Sequence, residues 1–346
     1  MKRTLQTIAL LTLTTLLFGC GQNENEALPD DSAQNNTEIA TDNDVTEENE
    51  KEKQTDKAET SNNKITDNDF YEPFNGTLEH VHGLGYAGNQ NAIYFAAHDG
   101  LKVYVDGQWY KTVAENHDYM GFNAADVGFF ASGHPAANSN LVNPFGIKRS
   151  LDNGQTLETL ALEGVVDFHV MGVGYESQTI FVANPKANDL LEEAGELYVS
   201  DDLAENWEKI DAEGLSKDII NIAVHPTDSN KVAVAAKEGI YLSTNKGQSF
   251  ELISDNMQGT SIYMSNKALW YGGYNGEPHL IKKSFDSETE EIITLPSMDE
   301  DAVMYFTTNP QNDNELAFIT YNGNVFYSNN GAENWEMLVN EGKIQQ

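Results

Sequence analysis

An eight-residue motif recurs along the chain, and it constrains the fold more than any other feature of the sequence. Its four best copies are SLDNGQTL at 150–157, SDDLAENW at 200–207, STNKGQSF at 243–250 and SNNGAENW at 328–335. A weaker copy begins at Ser284 and includes Asp286, and only Asp106-Gly107 remains of another. The copies are about 41 to 50 residues apart, which is the length of one four-stranded propeller blade. Such spacing predicts a β-propeller.

The segments between the copies support this prediction. They are short apolar runs rich in Val, Ile, Tyr and Phe, separated by Gly, Asn, Asp and Pro, and none has a helical period. We distinguish six units, at 78–113, 117–160, 165–210, 218–253, 259–295 and 302–338. The sequence thus predicts an all-β fold, a single propeller of six blades with four antiparallel strands each. A seventh blade would require residues 64–77 to join the C-terminal tail.

The motif resembles the Asp-box, or BNR, repeat of sialidases and sortilin-type propellers, S-x-D-x-G-x-T-W. The matching residues are Ser150, Asp152, Gly154, Ser200, Asp202, Trp207, Ser243, Asn245, Gly247, Ser328, Asn330 and Trp335. The resemblance implies a turn between the third and fourth strands of a blade. We expect the Asp or Asn to bond the backbone of its own turn and the Gly to adopt a positive φ. The final aromatic residue is expected to be buried between blades. Ala204 and Ala332 replace the glycine in two copies.

The N-terminus carries a secretion signal. Lys2 and Arg3 precede an apolar run at 5–18, which is too short to span a bilayer. The run ends in Leu-Phe-Gly-Cys20, which resembles a bacterial lipobox, and Cys20 is the only cysteine of the chain. We predict a lipoprotein signal peptide at 1–19 and lipidation of Cys20. The protein would then be anchored to the outer face of the cell membrane, of the Gram-positive type.

Composition divides the remainder into a linker and a folded domain. Residues 21–70 hold 15 acids and 4 lysines, with few apolar residues, which is typical of a disordered segment. We place a lipidated, disordered acidic linker at 20–72 and the propeller at 73–346. The whole chain has 55 acidic and 20 basic residues and a formal charge of −35. This charge disfavours nucleic acid as a partner, and we expect a monomer.

Sialidase chemistry is excluded by the arginine content. The sialidase resemblance implies three arginines that clamp the substrate carboxylate, a task for which lysine is not suited. After the predicted signal peptide, the chain contains a single arginine, Arg149. A glycoside hydrolase of another type needs two carboxylates at a set separation. The sequence leaves this open, and no motif identifies catalytic residues.

Histidines are concentrated in the first three blades. Aligned on a shared glycine, the first strands read HVHG at 80–83, DYMG at 118–121 and HVMG at 169–172. First strands line the channel of a propeller, and alternate side chains point into it. His98 and His134 end second strands, which open on the same face. The predicted metal-site residues at the channel mouth are His80, His82, His98, His117, Met120, His134, His169 and Met171.

Two interpretations of this cluster remain open. Imidazole and thioether groups are ligands for copper, and imidazole with carboxylate suits zinc. Alternatively, the histidines bond water and backbone in a wet channel and the methionines pack in the core. His225 and His279 fit no such set, and His225 is predicted to be a turn residue. The connections at 135–146 and 185–195 are longer than their counterparts and lie on the histidine side.

We therefore expect an extracellular, membrane-anchored module that binds an unknown protein, glycan or metal ligand at the histidine-rich channel mouth. Bound copper or zinc is a special case of this hypothesis. The chain also resembles Gram-positive lipoproteins that carry Asp-box propellers and are often labelled glycosyl hydrolases. A carbohydrate-active hydrolase of non-sialidase type is the alternative function. A carboxylate pair in the channel mouth would favour the enzyme, and a cluster of imidazoles without one would favour binding.

Overall fold

The structure, a computed structural model, describes residues 64–345. The predicted signal peptide, Cys20 and most of the predicted linker lie outside the described residues. One 3-10 turn, Ile65–Asp67, is the only helical segment in the described part, and all other regular elements there are strands. Between residues 64 and 345, no helix has the length and apolar character needed to cross a bilayer.

The first three blades follow one another along the chain. Blade 1 contains β1 Tyr71–Pro73, β2 Val81–Tyr86, β3 Ile93–Ala97, β4 Gly100–Val105 and β5 Gln108–Thr112. Blade 2 contains β6 Asp118–Ala125, β7 Gly128–His134, β8 Ile147–Ser150 and β9 Glu158–Ala161. Blade 3 contains β10 Met171–Val173, β11 Ile180–Ala183, β12 Leu197–Ser200 and β13 Glu208–Ile210.

The last three blades repeat this plan. Blade 4 contains β14 Ile219–Val224, β15 Val232–Ala236, β16 Gly239–Ser243 and β17 Glu251–Ser254. Blade 5 contains β18 Gln258–Met264, β19 Ala268–Tyr274, β20 Pro278–Ser284 and β21 Glu290–Ile292. Blade 6 contains β22 Val303–Asn309, β23 Asn312–Thr320, β24 Val325–Ser328, β25 Glu336–Asn340 and β26 Lys343–Ile344.

Each blade is an antiparallel meander, and the six blades form a β-propeller as predicted. Blades 1 and 6 have a fifth strand, because β1 pairs with β5 and β26 pairs with β25. Apolar clusters fill the space between neighbouring blades and form the core. This arrangement explains why β15, the second strand of blade 4, is apolar throughout: it is covered on both faces.

Blade 6 closes the ring directly onto blade 1. The rings of Tyr104 and Tyr327, from these two blades, lie 5.8 Å apart. Gln311 donates a hydrogen bond to the Asn89 carbonyl at 2.6 Å. The Leu78 amide donates to the Gly342 carbonyl at 2.7 Å. Residues 64–77 therefore do not build a seventh blade.

Residues that pack on the propeller begin before residue 73, the domain boundary predicted from the sequence. Strand β1 covers 71–73, and Ile65 is buried in the cluster between blades 1 and 2. The described segment from residue 64 therefore already packs on blade 1.

The four repeat turns have the same internal hydrogen bonds. In the first, Ser150 Oγ donates to Asp152 Oδ1 at 2.9 Å and accepts from the Gly154 amide at 2.7 Å. The Thr156 amide donates to Asp152 Oδ1 at 2.8 Å. Corresponding bonds occur around Ser200, Ser243 and Ser328. Since the turn satisfies its own polar atoms, it is a self-contained structural unit.

The glycine position of this turn is left-handed even where alanine occupies it. Gly154 and Gly247 have φ values of 101° and 82°, and Ala204 and Ala332 have values of 69° and 70°. Alanine adopts this conformation at a cost of roughly 1–2 kcal/mol, so the surrounding contacts must impose it.

The aromatic residues that end the repeats pack between blades, as expected, but their burial differs. Phe250 is buried between blades 3 and 4. Trp207 and Trp335 are only half-buried, so the expectation of full burial was wrong for them. Trp335 packs edge-on against Phe318 and donates its Nε1–H to the Thr294 carbonyl of blade 5 at 3.0 Å. The Nε1 of Trp207, by contrast, is buried and has no hydrogen-bond partner within the described residues.

Candidate metal centre

The first strands of the blades line a narrow central channel. The cavity measures about 90 Å³, which is room for a few water molecules. Its wall combines polar groups with apolar side chains, among them Leu84, Phe122, Met171 and Ile222. His82 and His169 are part of the wall, whereas no Asp or Glu of the described chain lines it. A ligand larger than a few waters must therefore bind at a mouth of the channel.

Imidazoles and carboxylates meet at the mouth where first strands begin and second strands end. We call this end the histidine face, and it comprises His80, His82, His98, Asp118, His134, Asp167 and His169. Its groups span two boundaries between blades. His98 follows the second strand of blade 1 and reaches Asp118 of blade 2, and His134 ends the second strand of blade 2 and reaches Asp167, before blade 3.

The first group consists of His82, His98 and Asp118. His98 Nδ1 lies 2.9 Å from Asp118 Oδ2. His82 Nε2 lies 3.5 Å from the other oxygen, Oδ1, which is too far for a good hydrogen bond. Both His82 Nε2 and Asp118 Oδ1 are buried and have no hydrogen-bond partner. Unpartnered buried polar atoms are costly, and these two atoms are available to ligate a cation.

The geometry of this group fits a metal ion. The three residues each offer a ligand atom, and these atoms all lie within 4.8 Å of one another. Two ligands at about 2.0–2.1 Å from a tetrahedral zinc ion are roughly 3.3–3.4 Å apart. The 3.5 Å between His82 Nε2 and Asp118 Oδ1 is close to that edge. The His98 side chain is 65% exposed, so its imidazole has room to move toward the other two ligand atoms.

The electrostatics of the group favour a neutral His82. Burial lowers the pKa of this imidazole from its ordinary value. Asp118 opposes the shift, and the neighbouring His98, His169 and His80 add to it. At neutral pH, His82 therefore keeps the unprotonated nitrogen that a metal ligand requires.

Local backbone geometry places these side chains. A β-bulge interrupts β2 between Val81 and Leu84, and another interrupts β6 between Met120 and Asn123. At the second bulge Gly121 has a φ of 51°, and an added Cβ would lie 2.4 Å from the Phe168 carbonyl oxygen. Bulges redirect the side chains beside them, here at the channel mouth. His80 itself has a φ of 45°, which is uncommon for a residue other than glycine.

The second group consists of His134, Asp167 and His169. His134 Nε2 lies 3.0 Å from Asp167 Oδ2, and His169 Nε2 lies 2.7 Å from the same oxygen. The sequence did not identify Asp167 as a site residue, although it lies two positions before His169 and therefore on the same side of an extended chain. Asp118 was noted in the strand alignment but not included among the predicted ligands.

The remaining predicted residues have other surroundings. His80 is exposed, with its ring centroid 6.2 Å from that of His98. His117 is buried. Its Nε2 lies 2.7 Å from Glu115 Oε2, and its Nδ1 accepts a hydrogen bond from the Ala136 amide at 3.0 Å. The structure thus uses His117 to hold the 135–146 connection. Met171 is buried in the core between blades 2 and 3, and Met120 is half-buried on β6.

Two histidines belong to neither group, as expected. The His225 ring accepts bonds from the Thr227 and Asp228 amides at 3.3 and 3.2 Å, which confirms its role in a turn. His279 lies on β20, with Nε2 2.9 Å from Asn275 Oδ1.

The long connections add clefts beside the histidine face. One cleft of about 480 Å³ lies between residues 113–117 and 136–141, and another of about 390 Å³ lies between 162–165 and 188–190. Val113, Val165 and Leu190, on these segments, and Val142, next to the first cleft in sequence, are exposed. Exposed apolar side chains around a polar centre are typical of a binding surface.

The opposite mouth of the channel, on the side of the repeat turns, has a different character. It opens into a cleft of about 320 Å³ that includes Asp126, Glu176, Lys267 and Asp313. Burial, together with the charge of Glu176, raises the pKa of the Asp126 carboxyl. No imidazole of the described chain lines this cleft.

Comparison with known proteins agrees with the fold. A GH74 xyloglucanase from Xanthomonas campestris is 13% identical with a TM-score of 0.50, over 78% of this chain and 46% of that one. The extracellular domain of a one-component system from B. thetaiotaomicron is 15% identical with a TM-score of 0.48, over 78% and 35%. YCF48 from Cyanidioschyzon merolae is 11% identical with a TM-score of 0.46, over 79% and 89%.

These likenesses concern architecture. This chain spans less than half the length of the first two structures. No protein-family model and no curated protein matches the sequence. At such low identity, similarity to solved structures establishes the β-propeller fold alone, and function must be argued from the site.

Proposed function

We propose that the chain is a membrane-anchored extracellular binding module that holds a divalent metal ion at its histidine face. The observation that carries this proposal is the pair of buried, unpartnered atoms His82 Nε2 and Asp118 Oδ1, 3.5 Å apart. This separation is close to the distance of about 3.3–3.4 Å between two ligand atoms of a tetrahedral zinc ion.

The donor set favours zinc over copper(I). Two imidazoles and one carboxylate are ligands typical of zinc, whereas copper(I) prefers thioethers and thiolates. Met171, the buried methionine of the predicted set, belongs to the apolar core. His82 and Asp118 would supply fixed ligands, since their side chains are only 26% and 11% exposed, and His98 would complete the set.

Three protein ligands leave one coordination position for a partner. An ion bound there would offer this position to a donor group of a ligand or of another protein. The two clefts and the exposed Val113, Val142, Val165 and Leu190 would then contact the remainder of that partner. A metal contact at the centre and apolar contacts around it would together give affinity and orientation.

The N-terminal features complete the proposal. We propose that Cys20 carries the lipid anchor and that the acidic segment connects it to a propeller of the Asp-box type. Because the lipid would be the only durable attachment, Cys20→Ser is expected to move the protein from the membrane fraction to the soluble fraction. Retention of the fully processed variant in the membrane would contradict the anchor.

The hydrolase alternative has less support from the site. Asp118 and Asp167 are two carboxylates at the same mouth, but imidazoles contact both of them. A glycosidase needs one carboxyl group free to protonate the leaving oxygen and another to act as base or nucleophile. No carboxylate of the described chain lines the channel itself. The arrangement therefore favours binding.

A zinc titration of the full chain in detergent tests the metal site. His82→Ala and His98→Ala are each expected to weaken zinc binding by at least ~10-fold, because each removes a ligand. His279→Ala is the matched control, since His279 lies on the third strand of blade 5 and its Nε2 contacts Asn275, which is not a proposed ligand. Equal affinity of the wild type and all three variants would overturn the proposal.

A further inference from the structure

Asp167 resembles Asp118 in lying between two imidazoles, one blade further along the ring. Both imidazoles at Asp118, those of His98 and His82, come from the preceding blade. Asp167 is contacted by His134 from the preceding blade and by its neighbour in sequence His169. Each carboxylate therefore lies between two imidazoles, one of which comes from the end of a second strand.

The two carboxylates also share an unusual environment. The side chains of Asp118 and Asp167 are only 11% and 15% exposed. Within residues 64–345, imidazoles are the only basic groups that pair with them. Each keeps one buried oxygen, Oδ1, without a hydrogen-bond partner. A poorly solvated carboxylate with a free oxygen gains most from a cation.

We propose that His134, Asp167 and His169 form a second site for a divalent metal ion of the zinc class, so that the histidine face holds two ions. This inference extends the proposed function, but it rests on different residues. Nothing in it requires the ion at His82, His98 and Asp118 to bind first.

The second group has the residue types of a ligand set. Both imidazoles contact one carboxylate oxygen, since His134 Nε2 and His169 Nε2 lie 3.0 and 2.7 Å from Asp167 Oδ2. Unlike the first group, these residues do not offer three ligand atoms within 4.8 Å of one another, so the rings must turn toward a common point to hold an ion. An ion would take the place of these imidazole–carboxylate contacts. The rings have room to shift outward, since the side chains of His134 and His169 are 42% and 63% exposed.

Asn143 is the positioning residue of this site. Its Oδ1 lies 2.7 Å from His134 Nδ1 and holds the ring with Nε2 directed at Asp167. Metal-bound imidazoles commonly bond a carbonyl or carboxylate through their second nitrogen, which orients the ring. The long 135–146 connection supplies Asn143, so it contributes to this site.

Zinc stoichiometry tests the second site. Equilibrium dialysis of the full chain in detergent, followed by metal quantification, is expected to find two tightly bound ions in the wild type. Asp167→Asn is expected to retain one, and Asp118→Asn is expected to retain one. Asp286→Asn, an exposed substitution on blade 5, is expected to retain two. Since His169 is largely exposed, His169→Gln provides a second variant that preserves folding, and it is expected to weaken one ion at least ~10-fold.

The outcomes separate this inference from the proposed function. A wild type that binds one ion, lost in Asp118→Asn but kept in Asp167→Asn, would overturn the second site and leave the first intact. The reverse pattern would overturn the first site and support the second. A wild type that binds no ion would overturn both. Unchanged stoichiometry and affinity in Asp167→Asn and His169→Gln would also overturn the second site.

Discussion

The histidine face and the repeat turns lie at opposite ends of the blades, and they differ in whether their polar side-chain atoms have hydrogen-bond partners. In a repeat turn, Ser150 and Asp152 find their partners within the same few residues. At the histidine face, His82 Nε2, Asp118 Oδ1 and Asp167 Oδ1 are buried without partners and lie among imidazoles. On the side of the repeat turns, Asp126 Oδ1 and Trp207 Nε1 are also buried without partners, but they are not part of the hydrogen bonds within a turn. A self-satisfied turn stabilises the fold, whereas an unsatisfied cluster is stabilised only by something from outside.

The difference also appears in how strictly the sequence repeats. The turn is present four times because blades 2, 3, 4 and 6 use the same connection between their third and fourth strands. The histidines occur mainly in blades 1–3; at the same end of blades 4–6, the described chain has only His279, beside the β19–β20 hairpin. Repeated residues therefore indicate structure in this molecule, and residues that break the repeat indicate binding. Substitutions on the two faces are expected to separate stability from metal affinity.

The largest effect on stability is expected for Phe250→Ala, next to a repeat turn. Phe250 is buried between blades 3 and 4, so truncation should cost about 3–5 kcal/mol of unfolding free energy. Zinc affinity of the folded protein should not change. Urea unfolding and a zinc titration measure the two quantities. A variant that loses zinc affinity while fully folded would break the separation between the faces.

Gly247→Ala is expected to have the next largest effect. Gly247 has a φ of 82°, and an added Cβ would lie 2.5 Å from Ile210 Cδ1. Strain and overpacking together predict a loss of about 1–3 kcal/mol. The matched change is Ala204→Gly, where relief of backbone strain offsets the lost methyl contacts, so that stability changes by less than ~1 kcal/mol. Equal losses in both variants would show that the turns impose no left-handed position.

Asp126→Asn, at the opposite channel mouth, is expected to have a small, pH-dependent effect. The pKa of this carboxyl is raised in the folded state, so the stability it contributes is present below its ordinary pKa and is lost as pH rises through the folded value. Asparagine removes that loss. The variant should melt slightly higher than the wild type at pH 7 and equally at pH 3. A variant that melts lower at pH 7 would contradict the assignment.

The smallest effect on stability is expected for His98→Ala without metal. The His98 side chain is 65% exposed, so the unfolding free energy should change by at most ~0.5 kcal/mol. Excess zinc raises the melting temperature of a protein that binds it in the folded state, and this rise should be smaller in the variant. A large loss of stability in metal-free His98→Ala would make the residue structural.

The six blades were predictable because the repeat is local: each stretch of about 41–50 residues contains the strands and the turn of one blade. His82 and His98 were predictable as neighbours because strand alternation and blade order fix which residues begin and end at one face. Asp167 was missed because it precedes β10, outside the aligned strand positions. The role of His117 could not be foreseen, since it depends on a bond from the Ala136 amide across the blade. Such contacts depend on how a long connection folds back.

Anomalous X-ray scattering at the zinc edge, from crystals of the full chain grown with zinc, tests the central claim most directly. The account predicts an anomalous peak bounded by His82, His98 and Asp118, about 2.0–2.1 Å from each ligating imidazole nitrogen. A second peak is expected beside Asp167. Peaks found only at other acidic side chains, with His82 and Asp118 arranged as they are without metal, would contradict the account.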